Sequence, residues 1–143
     1  MILSALLSFI AYAILEGQRE GMYWHFRLRY KKTGLNEHFF FTIQRAFVVI
    51  GLCLGTLFAH GPISAGVTAV CLPLVFSFFH NGMYYTQRNE LSPLIYKKRW
   101  WDQSESSTAK LTKFMTPVSR SIQAFVGISG MVTIFVLTLL KLL

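Results

Sequence analysis

Charge is scarce in this chain: charged residues make up 14% of 143, and only 6 residues are acidic. A soluble domain carries roughly 25% charged residues, so this sequence cannot clothe a water-facing surface of ordinary size. Cysteine is scarce too, with Cys53 and Cys71 the only two. Both sit inside apolar runs and neither belongs to a Cys-x-x-Cys pair, which removes the spacing of thiolate metal and redox sites. The patterns Gly-x-Ser-x-Gly, His-Glu-x-x-His and Glu-x-x-His are also missing. Their absence leaves no nucleophile elbow, no zincin helix and no carboxylate-bridged di-iron motif. There is no convincing internal repeat, and the two halves do not match as an inverted pair.

What the chain has in quantity is apolar surface. Hydrophobic residues reach 53%, with a mean hydropathy of +0.45, the composition of a chain that lives in lipid rather than one that stays disordered. Its length suits a single domain, residues 1–143. About twenty apolar residues cross a bilayer as helix, and four runs come close to that length: 2–24, 39–59, 63–85 and 118–143. The expected fold is therefore all-α, a polytopic membrane protein with four transmembrane helices in a bundle. The first run is apolar only to Leu15 and turns polar through Glu16, Gln18, Arg19 and Glu20. Ala11-Tyr12-Ala13 resembles a signal-peptidase site, but no charged n-region precedes it, so a retained helix is expected. His60-Gly61-Pro62 reads as a tight turn between runs two and three. Pro73 should kink the third run, and Gly127-x-x-Gly130 marks a close-packing pair in the fourth.

The formal charge of +8 would suggest nucleic acid in a soluble protein. Here ten of the 14 basic residues fall in two segments between apolar runs. They are Arg27, Arg29, Lys31 and Lys32, then Arg88, Lys97, Lys98, Arg99, Lys110 and Lys113. Topology accounts for this charge through the positive-inside rule, and no nucleic-acid partner is expected. The short turn at residues 60–62 carries no Lys or Arg. Four spans place both basic loops, 25–38 and 86–117, on the cytoplasmic side of the cell membrane, with the N and C termini outside. Lys97, Lys98, Arg99, Trp100 and Trp101 form an aromatic-basic mix suited to lipid head groups, and a short amphipathic helix over about 103–115 would lie along that interface.

The ionisable residues inside the runs are where function is sought. At a rise of about 1.5 Å per residue, Glu16 lies about 21 Å along the first run, His80 about 25 Å along the third and Arg45 about 9 Å into the second. With Glu20, Gln44 and Asn81 they fall in the cytoplasmic third, while the outer two-thirds is nearly free of charge. Glu16, Glu20, Tyr23 and Arg27 share one helix face, and His80, Tyr84 and Arg88 share another. Those two stripes should face each other across a cavity open to the cytoplasm. The intramembrane polar site is thus expected from Glu16, Arg19, Glu20, Tyr23, Arg45, His80, Asn81, Tyr84 and Arg88.

Three readings of such a site follow. It can bind or pass an ion or small polar solute, the reading adopted here. It can serve an intramembrane enzyme, with a glutamate as general base and Glu16, Glu20 and His80 as metal-ligand candidates. Or Arg19 and Arg45 can neutralise the glutamates as a structural lock. The segment from His80 to Asn89 reads either as part of the site or as a helix end at Asn81-Gly82. In size and topology alone the chain is similar to bacteriophage holins, which adds a pore-forming alternative. No enzyme activity, cofactor or solute is specified by any motif, and the small size favours a homo-oligomer.

Overall fold

A computed structural model of the chain describes residues 1–27, 37–95 and 120–142. It is all-helical, with no strand among the described residues. Three helical elements follow one another: α1 (Ile2–Arg27), α2 (Glu37–Leu91) and α3 (Arg120–Leu139). Segments of all three, Ile2–Trp24, Phe41–Leu91 and Arg120–Leu139, are long and apolar enough to cross a membrane.

The 55 residues of α2 would make a straight rod about 80 Å long. They do not, because helical dihedrals break at Gly61, where φ is 83° and ψ 179°. That combination is almost confined to glycine. Pro62 reinforces the break: it disfavours helical geometry in the residue before it, and its fixed φ suits the first position of the helix that follows. The chain reverses there. Arg45 and His80 are 35 residues apart, about 50 Å along a straight helix, yet their side chains approach to 3.3 Å. Element α2 is therefore a helical hairpin, with arms 37–60 and 62–91.

One sequence expectation about the second arm is corrected: no helix end falls at Asn81-Gly82, where the dihedrals stay helical as they do at Pro73, with Gly61 the interior break. At Asn81-Gly82 side chains tie the turns together: Asn81 donates to the Ser77 carbonyl and Thr86 to the Gly82 carbonyl, at 2.8 and 2.9 Å. The helix also passes beyond residue 85 and ends at Leu91, just before Ser92-Pro93. Apolarity stops earlier than the helix because Thr86 and Gln87 are polar but buried. The expected interfacial helix and Lys97, Lys98, Arg99, Trp100 and Trp101 lie outside the described residues, as does most of the loop 25–38.

The core runs between all three elements: Ile2, Leu6 and Phe9 of α1, Cys71, Leu72 and Val75 of α2, and Met131 and Ile134 of α3. The pair Gly127 and Gly130 lets α3 lie against the second arm. A Cβ on Gly127 would meet the Cys71 carbonyl oxygen at 2.7 Å, and one on Gly130 the Cys71 sulfur at 2.6 Å. Large side chains such as Phe47, Phe58, Val70 and Phe125 face outward. An apolar exterior of this extent would aggregate in water but is the ordinary lipid-facing surface of a membrane helix.

Candidate functional site

Three pieces of helix meet where Glu16 and Glu20 of α1 face Arg45 and His80 of the two α2 arms. Glu16 and Glu20 stand at i and i+4, so they share a face of α1. What lets His80 reach them is Gly17, whose absent side chain leaves room for backbone. A Cβ there would lie 2.2 Å from the His80 carbonyl oxygen. One turn later Gly21 is also close to backbone, its Cβ position 2.9 Å from the Tyr84 carbonyl oxygen. Gly17-x-x-x-Gly21 is thus a small-xxx-small groove that receives the second arm.

Arg45 bridges both acids. Its Nε donates to Glu16 Oε1 at 2.8 Å and its Nη2 to Glu20 Oε2 at 2.9 Å. His80 Nε2 is 2.8 Å from the same Glu20 Oε2. A bond that short requires a proton between the two atoms, carried by the imidazole when Glu20 is ionised. Arg45 Nη2 also approaches His80 Nε2 to 3.3 Å, so both nitrogens gather at one carboxylate oxygen. Trp24 completes Glu20 by donating its indole N–H to Oε1 at 3.3 Å. Glu16, Glu20 and His80 are all buried, while the Arg45 side chain keeps 30% of its surface exposed.

Aromatic rings fix the imidazole and close one end of the site. His80 stacks on Phe76 at 4.8 Å and lies parallel to Tyr84 at 6.3 Å. The Arg45 guanidinium also rests on the Phe76 ring, 4.8 Å from its centroid, a favourable cation–π position. Beyond Phe76, towards the start of α1, come Tyr12 and Phe9, with centroids 5.9 to 6.4 Å apart. In the other direction Arg88 donates to the Tyr84 hydroxyl. The site is walled by apolar rings on one side and continues into polar groups on the other.

Of the residues expected in the site, Glu16, Glu20, Arg45 and His80 are brought into direct contact, and Tyr84 and Arg88 continue the line. Arg19 is placed differently: it donates to Gln44 at 3.2 Å and covers the Phe41 ring, on the exposed flank of α1. Tyr23 packs edge-on against Trp24 and Phe41, and Asn81 bonds within its own helix. The sequence reading missed Trp24, Phe76 and Gly17. Each carries a signal: Trp24 is four residues after Glu20, Phe76 four before His80, and Gly17 begins a GxxxG. Comparison of the chain with family models, with curated proteins and with solved structures gives no match in any of the three.

Proposed function

We propose that this chain is an integral membrane protein of four spans, counting each arm of α2 as one, and that its polar cluster binds an ion or small polar solute. In this reading the basic segments face the cytoplasm, the N and C termini lie outside, and solute reaches the cluster from the cytoplasmic side. The observation that carries it is a charge imbalance. Two carboxylates share one fixed cation, since Glu16 and Glu20 are both bonded to Arg45. A buried net charge is costly in a low-dielectric layer, so the cluster calls for one further positive charge. A proton on His80 or an incoming cation supplies it. The aromatic wall of Phe9, Tyr12 and Phe76 favours a closed-ended binding site over a continuous path. The small size favours a homo-oligomer in the bilayer.

A structural lock is the second reading, because Arg45 already bonds both acids from within the chain. Trp24 separates the two. In a Trp100→Phe, Trp101→Phe background it is the remaining tryptophan, and its indole touches Glu20. Binding predicts a saturable change of Trp24 emission in lipid nanodiscs on titration with one of Na⁺, K⁺, Mg²⁺, Mn²⁺ or guanidinium, lost in Glu20→Gln. An unchanged spectrum with every probe, together with early melting of Glu20→Gln, would mean the cluster only holds the helices in register.

A further inference from the structure

Glu16, Glu20 and His80 turn ligand atoms towards one point. One carboxylate oxygen from each glutamate and one imidazole nitrogen all lie within 4.8 Å of one another, on three buried residues. A divalent cation held at about 2.0–2.2 Å from each would draw such atoms to roughly 3–3.5 Å apart, a shift that small side-chain rotations cover. The point is already occupied by positive charge, because Arg45 Nε and Nη2 sit 2.8 and 2.9 Å from the two acids. A further ligand atom is at hand: Arg45 engages Oε1 of Glu16, and this carboxylate, on a side chain only 1% exposed, has the Tyr12 hydroxyl as its other polar neighbour.

Resting on the ion-binding reading above, we propose that the ion is a first-row divalent metal of the Mn²⁺, Fe²⁺ or Zn²⁺ class, and that Arg45 is a tethered cation which it displaces. Two carboxylates and one imidazole, with no thiolate, suit these borderline ions better than Cu⁺, which prefers sulfur, or Ca²⁺, which prefers oxygen alone. Charge favours the exchange. The two glutamates with Arg45 leave one negative charge, whereas the two glutamates with a divalent ion leave none. Arg45 has somewhere to go, since its side chain is 30% exposed and it also rests on the Phe76 ring. Three protein ligands leave a coordination position for water or a solute, as in metal sites that exchange ligands.

The test uses full-length protein in lipid nanodiscs and Co²⁺ as the probe, read by its visible d–d absorption. Arg45→Met should tighten Co²⁺ binding on the order of tenfold or more, because it removes a positive charge within contact distance of the metal. Adding Glu20→Gln or His80→Asn to that variant should abolish the signal. A folded Arg45→Met protein with unchanged affinity, or binding that survives both additions, overturns the proposal. Should Arg45→Met fail to fold, the wild type decides: Zn²⁺ must move the Arg45 Nε–H proton resonance off its carboxylate-bonded position, and no movement at saturating Zn²⁺ refutes displacement. Failure of the broader reading looks different. If Na⁺, K⁺, Mg²⁺ or guanidinium perturbs Trp24 but Co²⁺ does not bind, only the metal assignment falls; if no probe acts, both fall.

Discussion

Gly17→Ala should damage this protein more than any comparable change in its helices, and the cost can be worked from one contact. The added Cβ would stand 2.2 Å from the His80 carbonyl oxygen and 3.0 Å from its carbon. Ordinary carbon–oxygen contact begins near about 3.3 Å, so α1 must retreat by about 1 Å from backbone that cannot rotate away. The same retreat stretches the 2.8 Å bond between Glu20 and His80 beyond hydrogen-bonding range. Overpacking costs about 1–3 kcal/mol and a charge-assisted hydrogen bond about 1.5–3 kcal/mol. Alanine returns about 1 kcal/mol through helix propensity, leaving a net loss of about 1.5–5 kcal/mol. Gly51 and Gly66 are the controls, for a Cβ at either meets nothing within 4 Å. Gly51→Ala and Gly66→Ala should therefore be neutral or stabilising by about 0.5–1 kcal/mol. Steric-trapping or denaturant unfolding in bicelles measures all three. A Gly17→Ala protein as stable as Gly51→Ala would refute the tight seating of α1 on the second arm, and with it the geometry of the polar cluster.

Other consequences are as direct. Gly61→Ala places a side chain at φ 83°, ψ 179° and should lose about 1–3 kcal/mol to backbone strain, seen as a lowered midpoint in the same unfolding assay. Glu16→Gln and Arg45→Met should each destabilise, Glu16→Gln by weakening one of the two bonds Arg45 makes; the double-mutant cycle should show a coupling of about 1–3 kcal/mol, and additive losses would deny the pairing. For topology, a Cys53→Ala, Cys71→Ala protein carrying His60→Cys should react with an impermeant maleimide on intact cells. Ser92→Cys in that background should react only after permeabilisation, and the reverse pattern would invert the membrane orientation.

Apolar run length pointed to an all-helical chain with helices long enough to cross a membrane, and His60-Gly61-Pro62 marked the place where helical dihedrals break at Gly61. Helix ends were less legible. Past residue 85 the second arm stays packed, with Gln87 against Gly21 of α1 and Thr86 also buried, and burial by a partner helix leaves no mark on hydropathy. Depth arithmetic placed Glu16, Glu20, Arg45 and His80 at one level, since rise per residue is uniform. It could not decide which arginine would bridge the acids. Arg19 neighbours Glu16 and Glu20 in sequence, yet it sits on the exposed flank with Gln44. Arg45, 25 residues from Glu20, makes the contact instead. Rotation about the helix axis decides this, and the packing of Gly17 on His80 sets that rotation.

A strongly basic chain is an odd host for the proposed cation site, yet on the proposed topology the two features act in different media. Basic residues between the spans would be in or near water, where screening confines their influence to about 8 Å at physiological salt. They would serve orientation in the membrane and affinity for anionic lipid. The cluster is surrounded by Phe76, Tyr84 and the packed faces of α1 and α2, where charges are screened far less. Among its groups, Arg45 is the fixed positive charge in contact with both acids. One side chain therefore does locally what the loops cannot do from a distance. It balances half of the acidic charge, and its side chain stays partly exposed. A lysine could supply the charge, but a single ammonium lacks the fork that reaches Glu16 and Glu20 together. That grip on both acids is what the structure gives Arg45, and in the proposed exchange it is the grip an incoming cation has to break.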